Sequence, residues 1–139
     1  MDKNSGYSTW LEKADGSLQN ELKSTNPEQI ADAFRCGLAF GTGGLRGVIG
    51  AGTNRMNIHT VAKATQGLAM YINTAGEKNR SVAISYDSRH KSVSFSKVTA
   101  GVFATNGIHV FIYPLSPSRK KGQENQRENR LNRRKTDKS

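Results

Sequence analysis

The chain has 139 residues, of which 35% are hydrophobic and 23% charged, and its formal net charge is +10. This length fits one compact core and excludes the several domains of a large enzyme. No run of about 18 uncharged apolar residues occurs, and acidic side chains interrupt the first 20 residues, so we expect no signal peptide, no membrane partner and a cytoplasmic location.

Cysteine and histidine residues give no sign of a metal site. Cys36 is the sole cysteine, so it forms no internal disulfide, and we expect it to pack as a small apolar side chain. His59 and His109 have no acidic or histidine neighbour at ligand spacing, and the sequence has no D-x-D-x-D cluster. We therefore expect structural histidines and no bound metal.

Residues 1–37 are predicted to form an N-terminal helical segment. Apolar residues recur every three to four positions from Trp10 to Leu22, although Gly16 weakens the pattern. A second start signal follows, with Asn26 as N-cap and Pro27 in the first helical position. We expect that helix to end near Gly37.

Residues 38–117 show the alternation of an α/β domain. A glycine-rich loop with flanking strands occupies residues 38–50, and a helix capped by Asn57 follows and ends at Gly76. Residues 82–86 read as a strand covered on both faces, and residues 108–113 as the next strand. The helical pattern between them, closed by Asn106 and Gly107, predicts a βαβ unit with parallel strands.

Residues 118–139 form a basic tail. They hold nine Lys or Arg residues and three acids, hence a charge of +6, and one aliphatic residue, Leu131. Such a segment buries too little surface to offset its ordering entropy, so we expect disorder. The charge leaves one alternative function open, a non-catalytic cytosolic protein that binds polyanions through this tail. We expect no specific nucleic-acid partner, because aromatic side chains for base stacking are absent from the tail.

Two segments could bind an anion. Ser88, Arg89 and His90 lie between a strand and a helix, where α/β sheets bind ligands, and Arg89 could grip a phosphate with two parallel hydrogen bonds. Alternatively, Asp87 and Ser88 only cap the helix and Arg89 is solvated. In residues 41–47, Arg46 is the one charged side chain, and the glycine spacing does not fit a nucleotide loop. Taken alone, residues 41–47 favour a structural loop.

Together, the two segments resemble a known family. Residues 40–47, F-G-T-G-G-L-R-G, and residues 86–92, Y-D-S-R-H-K-S, resemble the first two signature segments of the α-D-phosphohexomutases, the phosphoglucomutase/phosphomannomutase type. Residues 56–68 are similar to the helix between them, and the resemblance covers about residues 7–113. It implies a three-layer α/β/α domain I with a mixed sheet, here incomplete, from an enzyme that moves a phosphoryl group between O1 and O6 of a hexose phosphate.

The resemblance also implies roles for individual residues. Arg46 matches an arginine beside the family's phosphoserine, and Ser88, Arg89 and His90 match a loop that supports the same pocket. For the full-length enzyme it implies Mg²⁺ and a hexose 1,6-bisphosphate. The serine loop T-A-S-H-N-P does not occur in the 139 residues, so we expect a truncated, inactive remnant that binds no cofactor. The abrupt change after Tyr113 to a polar, basic sequence favours a tail read out of frame over an evolved tail. We also expect self-association through an open sheet edge at residues 108–113.

Overall fold

The computed structural model describes residues 3–76 and 79–114. The chain begins with three helices, α1 (Lys3–Lys13), α2 (Gly16–Ser24) and α3 (Pro27–Ala33). The predicted helical segment is thus confirmed as helical, but it breaks before Gly16, and α3 ends four residues short of Gly37. The predicted tail, residues 118–139, lies outside the described residues.

The start of α3 follows the sequence signals closely. The Asn26 side chain accepts a hydrogen bond from the backbone N–H of Gln29 at 2.8 Å, and Pro27 takes the first helical position. Proline is favoured there because the first backbone N–H groups of a helix have no intrahelical acceptor.

A hairpin and a long helix come next. Strands β1 (Phe40–Gly41) and β2 (Gly44–Leu45) pair antiparallel, and helix α4 (Ile58–Thr74) begins after Asn57. Asn57 and Thr60 form a reciprocal capping box, which confirms the predicted N-cap. The helix ends where Gly76 adopts φ +76°, a left-handed conformation that suits glycine.

The last three described elements form a βαβ unit. Strand β3 (Ser81–Tyr86) lies parallel to β4 (His109–Pro114), and helix α5 (Ser92–Thr105) connects them. The predicted parallel pairing is therefore confirmed, as is the α/β fold class. Among the described residues the parallel and antiparallel pairs form two separate sheets, so the expected mixed sheet is divided.

Helices α4 and α5 pack against each other and cover one face of the β3–β4 sheet. The prediction that β3 is covered on both faces is wrong, because residues along β3 alternate between exposed and half-buried. Half-buried side chains meet the helices and the other face stays open, the pattern of a one-sided strand. The core on the covered side consists of Ala69, Ile72, Val82, Ile84, Phe103, Ile108 and Val110.

An aromatic cluster joins the first helix to the rest of the chain. The rings of Tyr7 and Trp10 meet Phe34 edge to face at 5.9 and 5.8 Å, and Trp10 meets His59 at 5.1 Å. His59 therefore has the structural contact expected of it.

The packing predicted for Cys36 is wrong, since this cysteine is exposed. No helix in the described ranges is long and apolar enough to cross a membrane.

Candidate functional site

The hairpin presents Arg46 at the surface. Phe40 pairs with Leu45 and Gly41 with Gly44, so Thr42 and Gly43 form the turn. Gly44 has φ +106°, which L side chains rarely adopt, and a glycine is therefore required at this position.

The side chain of Arg46 folds back over Gly43. A Cβ atom on Gly43 would collide with the guanidinium, so the missing side chain at this position lets Arg46 lie across the turn. Arg46 is exposed, and it has no hydrogen bond or ion pair to another described residue. Its guanidinium therefore lies beside the turn with its donors available to an anion.

The chain after Arg46 is tied into a closed loop by Asn57. This side chain is 96% buried, since its exposed fraction is 4%. Its Nδ2 donates to the carbonyl oxygens of Gly50 at 2.8 Å and Gly52 at 3.0 Å. Its Oδ1 accepts the backbone N–H groups of His59 and Thr60. One amide therefore fixes the loop and caps α4 at once.

The same loop is held against the N-terminal helices. The Glu21 carboxylate of α2 accepts the backbone N–H of Ala51 at 3.0 Å. Gly52 has φ +125° and approaches α3 so closely that a Cβ atom would lie 2.6 Å from the carbonyl oxygen of Ala33. The helical segment thus supports the loop that follows the hairpin.

The turn after β3 is organised by Asp87. Its carboxylate accepts the backbone N–H of Arg89 at 3.0 Å and Nε of the same residue at 2.7 Å. These contacts lower the pKa of the Asp87 carboxyl, with the backbone N–H of Arg89 as the largest cause and the arginine side chain also contributing. The Arg89 side chain is 87% exposed, so its terminal nitrogens still reach solvent.

The alternative interpretation of this turn is wrong in one respect. Neither Asp87 nor Ser88 caps α5, because the N-cap is Lys91, which has φ 66° and makes no side-chain cap bond. Asp87 caps its own turn instead, and its backbone N–H donates to Oγ of Ser92 at 3.3 Å. Ser88 and His90 are exposed.

A cavity lies between the loop after the hairpin and the start of α5, and it does not bring the two predicted segments together. This smaller cavity has a volume of about 320 Å³, and a separate, larger cavity, described below, has a volume of about 710 Å³. Ile49 and Met56 reach the smaller cavity from the loop after the hairpin, and Lys91 and Phe95 reach it from the start of α5. Arg46, Ser88, Arg89 and His90 do not line it.

Sequence reasoning missed three charged residues that line this smaller cavity. Lys91 is a cation at the start of α5, and Asp15 and Glu21 are acidic residues that line the same cavity. The pKa of the Asp15 carboxyl is lowered, first by the hydroxyl of Ser17, which donates to it at 2.6 Å. The signal for Lys91 was its place in the run of basic residues before a helix, whereas no local signal marks Glu21.

The larger cavity lies between α1, the segment before the hairpin and α4. Trp10, Leu38, Phe40 and Leu68 give it apolar walls, and Lys63 is at its border. It contains none of the predicted site residues. In the described part of the chain, no group of three or more His, Cys, Asp or Glu side chains could hold a metal ion.

Residues 37–119 match the family described as phosphoglucomutase/phosphomannomutase, alpha/beta/alpha domain I. The chain is 39% identical over 105 residues to a phosphoglucomutase of Staphylococcus aureus strain bovine RF122 / ET3-1, a match covering 74% of this chain and 19% of that protein. It is 37% identical over 104 residues to the phosphoglucomutases of strains USA300 and NCTC 8325, with the same coverage. The chain thus matches about a fifth of the length of these relatives. No solved structure matches it.

Proposed function

The chain belongs to the phosphoglucomutase/phosphomannomutase family, and from this membership we propose that residues 38–117 act as the domain I part of a hexose-phosphate mutase. The reaction is the transfer of a phosphoryl group between two oxygens of a hexose phosphate. A cytoplasmic location for this role is likewise a proposal from the sequence.

The observation that carries this proposal is the state of Arg46. Its guanidinium is exposed, lies beside Gly43 and has no anionic contact among the described residues. An arginine beside a transferring phosphoryl group stabilises the negative charge that spreads over that group. Arg46 is therefore the residue proposed to face the transferring group.

Ser88, Arg89 and His90 are proposed to support the phosphate. Asp87 holds Arg89 through Nε, which leaves the terminal guanidinium nitrogens to donate to an anion. Holding an arginine by one edge reduces the side-chain entropy lost when the other edge binds phosphate. The exposed hydroxyl of Ser88 and the ring of His90 are further donors on the same turn.

The 139 residues do not contain every part of this chemistry. The family's serine loop, T-A-S-H-N-P, does not occur in the sequence, and the described residues offer no ligand cluster for the Mg²⁺ that the family implies. We therefore assign no step to the metal. A charged side chain alone provides no nucleophile, so the 139-residue chain is proposed to be inactive by itself.

A domain exchange tests the proposed function. Residues 37–113 of this chain replace the aligned segment of the S. aureus phosphoglucomutase, and turnover of glucose 1-phosphate is measured with Mg²⁺ and glucose 1,6-bisphosphate. We expect the chimera to be active and Arg46→Ala to lower kcat about 10²- to 10³-fold. Arg46→Lys should recover part of the rate, because lysine keeps the charge but not the planar pair of donors.

The matched control is Arg35→Ala. Arg35 is also exposed, but its 3.6 Å contact to Asp32 lies before the hairpin, so we expect kcat to change less than about twofold. A folded but inactive chimera, or equal losses from Arg35→Ala and Arg46→Ala, would refute the proposal. Turnover by the 139-residue chain alone, abolished by Arg46→Ala, would refute its inactivity.

A further inference from the structure

Both ends of the β1–β2 hairpin are attached to the loop after the hairpin. On the way into β1, the backbone N–H of Leu38 donates to the carbonyl of Thr53 at 2.8 Å. On the way out of β2, the backbone N–H of Met56 donates to the carbonyl of Val48, also at 2.8 Å. The position of this loop therefore sets the position of the hairpin, and with it the backbone of Arg46.

A carboxylate of α2 holds the middle of the loop. Oε1 of Glu21 accepts the backbone N–H of Ala51 at 3.0 Å in a partly buried hydrogen bond that spans thirty residues of sequence. A Cβ atom on Gly50 would lie 2.8 Å from the same oxygen, so the glycine lets the carboxylate approach the backbone. A charged acceptor makes a stronger hydrogen bond than a neutral one. One side chain thus fixes two successive residues of the loop to α2.

The contacts of α3 reach the loop further along the chain. They involve Gly52, Asn54 and Arg55, on the side of the loop that leads into α4. Among the hydrogen bonds and ion pairs that join α2 or α3 to the loop in the described ranges, the Glu21 bond is the nearest to Arg46 in sequence. Glu21 is therefore the residue of the helical segment best placed to affect the hairpin.

We propose that Glu21 is a positioning residue for phosphoryl transfer, which holds the loop through Ala51 and thereby sets where the hairpin places Arg46. The inference rests on the proposed function, because the role of Arg46 is assigned there. Glu21 lies outside residues 37–119, the range that matches the family, so the N-terminal helical segment gains a part in the reaction. A displacement of about 1 Å can slow an enzyme about 10²-fold, so a modest shift of the hairpin is enough.

Kinetics of a longer chimera test the part in the reaction. Residues 1–113 of this chain replace the aligned N-terminal part of the S. aureus phosphoglucomutase. Glu21→Ala should lower kcat about tenfold and change KM for glucose 1-phosphate less than about twofold, because Arg46 is proposed to act on the transferring group. Glu21→Gln keeps an oxygen that accepts the N–H of Ala51, so it should restore kcat to within about threefold.

Two control variants separate positioning from a general loss of stability. Glu28→Ala removes another exposed glutamate of the helical segment, whose carboxylate has no hydrogen bond or ion pair with any other described residue. Asn26→Ala removes the N-cap of α3, and the Asn26 side chain bonds to Gln29 rather than to the loop. Each control should change kcat less than about twofold at a temperature where the chimera stays folded.

NMR of the 139-residue chain tests the positioning without any activity. Residual dipolar couplings of the N–H groups of Gly41, Gly44 and Arg46, analysed in the frame of α4, report the orientation of the hairpin. Glu21→Ala should change these couplings beyond their error, whereas Glu21→Gln and Glu28→Ala should keep them.

Couplings that Glu21→Ala leaves unchanged would overturn the proposal. It would also be overturned if a control lowered kcat as much as Glu21→Ala, or if Glu21→Gln restored nothing. A chimera that is inactive with Glu21 intact would instead refute the proposed function, and the couplings would still decide whether Glu21 positions the hairpin.

Discussion

Replacing Asn57 by alanine should lower the free energy of unfolding more than replacing Asn26, the other asparagine N-cap among the described helices. The variant loses the acceptor for the backbone N–H groups of His59 and Thr60, and the donor to the carbonyl oxygens of Gly50 and Gly52. Because Asn57, Gly50 and Gly52 are all buried, water cannot readily replace these hydrogen bonds.

The expected size follows from two contributions. Loss of an N-cap costs about 1 kcal/mol, and leaving a buried polar group without a partner costs about 1–3 kcal/mol. Asn57→Ala should therefore lower the free energy of unfolding by about 3 kcal/mol. Asn57→Asp keeps the cap acceptor but replaces the Nδ2 donor by a carboxylate oxygen facing the carbonyl oxygens of Gly50 and Gly52, so it should also be strongly destabilising although the cap remains.

Urea titration followed by circular dichroism measures these changes. The matched control is Asn26→Ala, because Asn26 also caps a helix but is exposed and accepts only the N–H of Gln29. We expect this control to lose about 1 kcal/mol or less. If Asn57→Ala loses no more than Asn26→Ala at equal m-value, the loop bonds to Asn57 contribute nothing and the reasoning is refuted.

Three further predictions follow. Gly52→Ala should lower the free energy of unfolding by about 2 kcal/mol or more, because Gly52 has a positive φ and a Cβ atom there would clash with α3. Gly67→Ala lies inside α4, where a Cβ atom meets nothing within 4 Å, and should raise the free energy of unfolding by about 0.5–1 kcal/mol. Thermal melts in which both variants shift Tm in the same direction would contradict this. The stabilisation linked to the lowered pKa of Asp87 should be present above pH 3.8, the ordinary pKa of the carboxyl, and disappear as pH falls through the lower pKa of the folded state. Arg89→Gln should raise the pKa of Asp87 only partly, because the backbone N–H of residue 89 still donates to the carboxylate. An NMR titration of Asp87 that this variant leaves unchanged would count against the contact between the two side chains. Residues 118–139 should bind heparin weakly, with affinity falling at least about 10³-fold between about 50 and 200 mM salt, and sequence-selective nucleic-acid binding at the higher salt would contradict this.

The sequence alone determined the order and most boundaries of the elements. Asn26 and Pro27, Asn57, and the Asn106–Gly107 pair mark helix ends, because capping and left-handed backbone depend on residues within one turn. The parallel βαβ unit also followed from local spacing. The two signature segments indicated the family, since their residues are read directly from the chain.

Only the tertiary structure decided which surfaces these elements cover. It left the outer face of β3 open, exposed Cys36 and made Lys91 the N-cap of α5. It also joined Glu21 to a loop thirty residues away. Burial and long-range hydrogen bonds depend on which distant segments meet, and residue spacing along one element carries no information about that.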